Sequence, residues 1–351
     1  MNVTFSIPYR TAYGDELLLN IAPAREDESL ALDMSQFKAL AMATHDGETW
    51  TLNTTLDPDK ATRYDYFYSV RSIRGIKCSE WKTIMHRLDL TASKANAYEV
   101  NDRWTDFPGD TYLYSSAFTD CINRRVQSAV PATDSSATLR LVVRAPQLRS
   151  GMRLNIVGAQ PALGCWNLAK ALPMVEHNHN EWIVDLDADS LFASIHRSRT
   201  TSAVAKDENV NLEFKFVAFG DKGEVEWETG LNRTLSVEPL PQGEVRVEVL
   251  DQAFFALYNQ KVAGTLIPVF SLRSEGSFGV GDFGDLKLMI DWVAQTHQRL
   301  LQVLPINDST STHTWTDSYP YSCISIFALH PQFCDLRQLP ALKDKVEADR
   351  F

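Results

Sequence analysis

Cysteine is scarce and does not cluster. The 351 residues hold five, Cys78, Cys121, Cys165, Cys323 and Cys334, widely spaced and without a C-x-x-C pair. That scatter argues against a disulfide framework and predicts reduced thiols in a cytoplasmic protein. Positive charge is also short: 34 Lys and Arg stand against 45 Asp and Glu, a formal net charge of −11. Such an acidic field repels phosphate backbones and anionic bilayers, so no nucleic-acid or membrane partner is expected, whereas a neutral ligand meets no penalty. No apolar run is long enough to span a bilayer, and "MNVTFSIPYR" lacks the apolar core of a secretory leader. No metal and no cofactor are expected either. The "HNHN" stretch, His177 to Asn180, has no third ligand nearby and reads as a solvated loop.

What is present is mostly β pattern. In residues 1–95, "VTFSIPY", "ELLLNIA", "FKALAMAT", "ETWTLNTTL" and "RYDYFYSV" are short, rich in β-branched and aromatic residues, and separated by turn signals. Asp46-Gly47 predicts a hairpin turn. Residues 96–135 read as a connecting segment. Its aromatic part, with Trp104, Phe107, Tyr112, Tyr114 and Phe118, is too oily for a free tether and should pack against a neighbour, while "PATDSSA" reads as linker. In residues 136–250, Leu139, Leu141 and Val143 alternate with Thr138, Arg140, Val142 and Arg144, and Trp182, Val184 and Leu186 alternate with Ile183 and Asp185. Strands with one oily face predict a second antiparallel sandwich. The ring of Trp182 falls in the oily phase and is expected in the core.

Residues 251–351 change period. "TLIPVFSL" and "RLLQVLPI" read as strands, and 282–297 as an amphipathic helix with Phe283, Leu286, Ile290 and Val293 on its apolar face. Strand, helix, strand is one βαβ unit. Between the first strand and the helix lies Gly279-Val280-Gly281-Asp282-Phe283-Gly284, which spells the dinucleotide fingerprint G-x-G-x-x-G. Three details oppose a nucleotide site. "RSEGS" separates the glycines from their strand, Asp282 and Asp285 would face the pyrophosphate, and Rossmann domains rarely follow two sandwiches. The plainer reading is a tight turn feeding a helix.

The run from Ser271 to Pro331 closely resembles the start of the catalytic domain of 4-α-glucanotransferases of glycoside hydrolase family 77. The long "NDSTSTHTWTDSYPYS" loop is similar to the type 2 disproportionating enzymes, which carry two N-terminal starch-binding domains. The resemblance implies a (β/α)8 barrel of about 250 residues, of which this chain holds the first βα units. It implies a retaining mechanism on α-1,4-glucans, with catalytic carboxyls on later strands. No catalytic residue is therefore assigned here, and the chain alone is expected to be inactive. Tyr321, in the pair Pro320-Tyr321, and Asp317 are implied glucan contacts. Ser318-Tyr319-Pro320-Tyr321 leaves open which tyrosine reaches the sugar.

The second sandwich resembles carbohydrate-binding module family 20 in "ALGCWNLAKAL", "EWIVDL", "LEFKFVAF" and "EVEWETGLNR". This implies an aromatic platform of Trp166 and Trp227, with polar contacts from Lys215, Glu228 and Asn232. The first sandwich resembles the same family faintly. Trp50 sits like Trp182, Trp81 looks like the counterpart of Trp227, and His86 stands where Asn232 would be. The fold class expected is thus mainly β: two antiparallel sandwiches followed by the start of a TIM barrel. The function expected is 4-α-glucanotransferase, with maltose, maltodextrins, starch or glycogen as partners. The competing reading is a non-catalytic glucan-binding protein.

Overall fold

The computed structural model describes residues 1–25, 33–192, 209–256 and 263–339, without the side chains of Ala117, Asp120 and Cys121. The charged stretch "KDKVEADRF", expected to be helical, lies outside the described residues. The chain divides into two compact units, Met1–Tyr258 and Asn259–Phe351. The protein is mainly β.

The first unit contains a repeat. Its first half has β1 Asn2–Pro8, β2 Glu16–Pro23, β3 Lys38–Ala41, β4 Ala43–Thr44, β5 Thr49–Thr55, β6 Arg63–Ser72, β7 Gly75–Ser79, β8 His86–Asp89 and β9 Ala97–Asn101. Its second half has β10 Thr138–Arg144, β11 Met152–Gly158, β12 Leu172–Pro173, β13 Val175–Asn178, β14 Glu181–Asp187, β15 Val210–Gly220, β16 Val225–Trp227, β17 Arg233–Val237 and β18 Glu244–Val249. The pairings match. β1 lies between antiparallel β5 and parallel β9, as β10 lies between antiparallel β14 and parallel β18. β6 carries β2, β7 and β8, as β15 carries β11, β16 and β17. The Asp46-Gly47 hairpin forms as the sequence predicts: Gly47 takes φ +73, and the Asp46 carboxylate accepts from the Glu48 and Thr49 amides at 2.8 Å.

The halves share a sheet. β18 pairs in parallel with β9, giving one eight-stranded sheet in the order β13-β14-β10-β18-β9-β1-β5-β4. The sequence reading ended the first sandwich at residue 95, yet Ala97–Asn101 lies beyond that point and sits at the middle of this sheet. One face of the sheet carries Val3, Phe5, Ile7, Tyr98, Val100, Val142, Ile183, Val245 and Val247 into the first core. Leu139, Leu141, Val143, Trp182, Val184 and Leu186 point the other way, into the second. The expectation of one oily face on β10 and β14 is therefore corrected: Val142 and Ile183 lie in the polar phase of the alternation, yet the first core covers them. Trp182 is 5% exposed within the second core, and Trp50 is equally buried in the first.

The aromatic part of 96–135 packs in part: Trp104, Tyr114 and Phe118 rest against cores, whereas Phe107 and Tyr112, also expected to pack, are exposed. Leu113 and Tyr114 are buried with Ile84, and Trp81 and Phe118 rest against them.

The second unit holds a parallel pair, β19 Gly264–Leu266 and β20 Leu300–Gln302, with the helix Phe283–Gln295 between them in sequence. Both strands are shorter than "TLIPVFSL" and "RLLQVLPI" suggest; the first ends early because Val269–Ser271 forms a single helical turn. Phe283, Leu286 and Met289 pack on Val269, Leu272 and Phe333. Ile290, expected on that face, is half exposed, as are Leu288 and Trp292.

Candidate functional site

The outer face of β15 is fixed by its inner one. Phe214 and Phe216 fill the second core, so the alternating Lys215 and Val217 lie on the opposite face of the strand, Lys215 half-buried and Val217 fully covered. β16 places Trp227 opposite Val217, and β11 places Val157 opposite Lys215. The Trp227 ring is 39% exposed. Lys215 reaches along the surface and donates to the Gly230 carbonyl at 2.6 Å. Asn232 donates to the Glu213 carboxylate at 2.7 Å.

Trp166 arrives from a different element. Its amide donates to the Gly158 carbonyl at the end of β11, at 2.8 Å. A turn over Pro161–Leu163 ends in Gly164 at φ +82, and Cys165 and Trp166 continue at φ +51 and +60. Left-handed backbone is costly for non-glycine residues, above all bulky ones, and such strain collects where function requires a fixed presentation. The half-buried Trp166 ring is held there beside the β11–β15 edge.

Glu228 differs from the expectation drawn from the resemblance. It is buried, and its Oε1 accepts from the Phe216 amide at 2.8 Å while Oε2 accepts from Arg233 Nε at 2.9 Å. It therefore locks β15 to the strand bearing Arg233, which fixes the backbone that presents Trp227.

The same device in the first half reveals its register. Glu228 donates its amide to Phe216 and receives that residue's amide in return; Glu80 does both with Tyr68. Arg233, opposite Phe214, binds Glu228, just as His86, opposite Tyr66, lies 3.0 Å from Glu80. Glu80 thus corresponds to Glu228 and His86 to Arg233. Ser79, opposite Ser69, occupies the place of Trp227, Phe67 that of Lys215, and Met85 that of Asn232. The expected equivalences of Trp81 with Trp227 and of His86 with Asn232 are corrected by two residues and one residue. The pattern "SEW" against "VEWE" offered two alignments, and only the carboxylate-to-strand hydrogen bonds decide between them.

Histidines missed as structural residues lie between the halves. His177, read as part of a solvated loop, is 4% exposed on β13, with Nδ1 2.6 Å from Asp89 and Nε2 3.0 Å from Glu181. Burial opposes its charge, but the hydrogen bond to Asp89 and the adjacent Glu181 carboxylate outweigh that and push it up to about 9. Burial likewise opposes the Glu181 carboxylate, and Arg144 and His177 overcome it, drawing Glu181 down to about 2. His86 is held between Glu80 and Asp102, and Asp102 also accepts from the Tyr66 and Tyr68 hydroxyls at 2.7 and 3.0 Å. No local pattern marks His177: "VEHN" has no alternation, and β13 bulges between Glu176 and Asn178 so that Glu176 and His177 are both buried.

In the second unit the glycine run is a capping device. Asp282 caps the helix Phe283–Gln295 by accepting from the Asp285 amide, and Asp285 accepts in return from Asp282, a reciprocal capping box. Gly279 takes φ +88, and a Cβ on Gly281 would sit 2.0 Å from the Val269 carbonyl. Ser274 and Ser277 bind the other face of Asp285, and Arg337 lies 3.3 Å from Asp282. These carboxylates occupy the helix N-terminus themselves. Asp317 gathers its own loop: it accepts from the Thr312 hydroxyl at 2.7 Å, the Thr312 amide at 3.0 Å and the His313 amide at 2.6 Å. The Thr312 hydroxyl is the largest influence holding it below the ordinary carboxylate range. Tyr319 and Tyr321 are 59% and 61% exposed with ring centroids 5.6 Å apart, so both are presented. Among the described residues no cluster of metal-ligating side chains occurs.

Two segments of the chain are similar to known families. Residues 137–245 match the family described as starch binding domain, and residues 267–350 match the family described as 4-alpha-glucanotransferase. The chain is 25% identical over 361 aligned positions to 4-alpha-glucanotransferase DPE2 of Oryza sativa subsp. japonica, covering 99% of this chain and 36% of that protein. It is 43% identical over 77 residues to the 4-alpha-glucanotransferase of Chlamydia caviae, covering 22% of this chain and 14% of that one. The family 20 module of a maltotetraose-forming amylase from Pseudomonas saccharophila STB07 aligns with 32% of this chain and 99% of its own, at 16% identity and a TM-score of 0.22. This chain thus spans little more than a third of the rice relative's length. Its second repeat is similar to starch-binding domains of carbohydrate-binding module family 20, and residues 267–350 are similar to 4-alpha-glucanotransferases of glycoside hydrolase family 77.

Proposed function

We propose that this chain supplies the glucan-binding part of a 4-α-glucanotransferase, and that its platform is Trp166 and Trp227 with Lys215 and Asn232 at the rim. The observation that carries the reading is Trp166 held in left-handed backbone beside an outward-facing sheet bearing Lys215 and the exposed Trp227. An α-1,4-glucan offers apolar C–H faces that stack on aromatic rings and hydroxyls that need donors and acceptors around them. Lys215 and Asn232 have partners that a sugar hydroxyl could share or replace. Glu228 acts through Arg233 and the β15 backbone as a positioning residue.

The second unit is read as the first βα unit of a (β/α)8 barrel, with Tyr319 or Tyr321 touching glucan near the cleavage point and Asp317 shaping their loop. The reaction is a retaining double displacement. A carboxylate forms a glycosyl-enzyme while a second carboxyl protonates the leaving sugar oxygen, and an acceptor glucan then takes the glycosyl group. Both carboxyls are assigned to segments outside this chain. The parallel strand pair and the family match to residues 267–350 support this reading.

Two measurements test it. Trp227→Ala should lose most retention on a starch gel while its far-UV spectrum stays β-like; parent-like retention would remove the platform. The chain alone should not disproportionate maltotriose, and glucose release from pure protein would overturn the assignment of the carboxyls.

A further inference from the structure

β11 leaves the sheet at Gly158, which is paired with Phe214 of β15. Beyond that pair the chain turns away towards Trp166, and among the described residues no strand covers that side of Asn211–Glu213. A side chain covers it instead. The Gln160 carboxamide donates from Nε2 to the Asn211 carbonyl at 3.0 Å and accepts at Oε1 from the Glu213 amide at 3.4 Å. The neighbouring Ala159 amide donates to the Glu213 carbonyl at 2.9 Å. An antiparallel ladder would place a peptide group here, and the carboxamide offers the same donor and acceptor. The backbone of Gln160 holds the turn as well: its carbonyl accepts from the Leu163 amide at 2.8 Å and the Cys165 amide at 3.2 Å.

We propose that Gln160 is a positioning residue of the platform, the latch that holds the turn carrying Trp166 against the edge of β15. The turn needs one. Gly164, Cys165 and Trp166 are left-handed in succession, and of these only glycine takes that backbone without cost. Leu163 anchors the turn in the second core, and the Trp166 amide reaches the Gly158 carbonyl. Without the Gln160 side chain nothing would tie the turn to Asn211 and Glu213. The same latch reaches the rim, because Glu213, whose amide Gln160 binds, accepts from Asn232 at its carboxylate. One half-buried side chain thus sets the place of a platform ring and steadies the support of a rim amide. A ring fixed before the sugar arrives need not be ordered on binding, so the latch contributes affinity without touching the ligand. The inference rests on the reading that Trp166 and Trp227 bind α-glucan, and it adds the residue that fixes their geometry.

Gln160→Met keeps the length of the side chain and removes both hydrogen bonds. In calorimetric titration it should bind maltoheptaose roughly three- to tenfold more weakly than the parent, as expected for two hydrogen bonds near solvent. Its thermal midpoint should stay near that of the parent, and hydrogen exchange in the free protein should quicken over residues 159–166 alone. Asparagine tolerates left-handed backbone, so Cys165→Asn should raise affinity more in the Gln160→Met background than in the parent. If Trp166→Ala loses binding while Gln160→Met binds like the parent, the latch is wrong and the platform stands. Equal effects of Cys165→Asn in both backgrounds, or a loss of affinity that comes only with a collapsed thermal midpoint, would also remove the latch. A parent that binds no maltoheptaose overturns platform and latch together.

Discussion

Opposite Val217 the second repeat places Trp227; at the same step of the same strand pair, opposite Ser69, the first places Ser79. The frame is the same in both. A glutamate exchanges hydrogen bonds with the central strand and binds a basic side chain on the next one, Glu228 with Arg233 and Glu80 with His86. The difference is that the second repeat keeps outward aromatic and polar groups on this frame, while the first has turned the corresponding positions to small or apolar side chains. Its basic side chain is also titratable, and it lies beneath the segment Arg103–Phe107 rather than beside open solvent. Frame and outward side chains are thus separable, because the frame is held by buried carboxylates while Trp227 and Ser79 lie one residue before them, on the paired strand.

The largest effect should separate core from platform within the second repeat. Trp182→Ala is expected to cost about 3–5 kcal/mol in urea unfolding, since its ring is buried in the core. Trp227→Ala should cost less than about 1 kcal/mol while losing glucan binding. Equal stability losses would erase the distinction between the two tryptophans.

Converting one frame into the other is the next test. Arg233→His should give the second repeat the first repeat's titratable pair and cost about 1–3 kcal/mol at pH 8, with a smaller loss at pH 6. A loss that does not change with pH would mean that the Glu228–Arg233 contact is packing rather than charge.

The junction between the repeats carries its own pH signature. His177 binds its proton more tightly when folded, with its pKa raised from 6.5 to about 9. Its stabilisation is complete below about 6.5 and is lost as pH climbs through about 9. Glu181, lowered from 4.5 to about 2, contributes above 4.5 and loses its effect as pH falls towards about 2. The thermal midpoint of the parent should therefore fall between pH 6.5 and 9, and fall less in His177→Gln. A midpoint that rises over that range contradicts a protonated His177.

The smallest effect belongs to the platform's rim. Asn232→Ala should weaken maltoheptaose binding roughly two- to five-fold, as expected for one hydrogen bond near solvent. A loss as large as that of Trp227→Ala would make the rim, not the stacking, the main source of affinity.

Much of this was legible along the chain. Composition and turn signals gave β1, β2, β5 and β6, and alternation gave β10, β14 and the buried Trp182, because a strand's period forces its side chains to opposite faces whatever surrounds it. The glycines of 279–284 were read as a turn feeding a helix, since the aspartates among them suit a helix N-terminus. What alternation cannot say is what covers the polar phase. Val142 and Ile183 looked outward-facing until β18 was found to pair with β9, which lays the first core across them. His177 looked solvated until Asp89, far away in sequence, closed over it. Trp81 looked like Trp227 because a short word aligns in two ways; the hydrogen bonds from Glu80 to Tyr68 and from Glu228 to Phe216 set the register that separates them. The sequence by itself determined most of the strands and the core phase of Trp182 and Phe216, which depend on local period and residue type. Only the tertiary structure decided which outer faces are buried, which histidines are paired and which tryptophans correspond, because each depends on a partner distant along the chain.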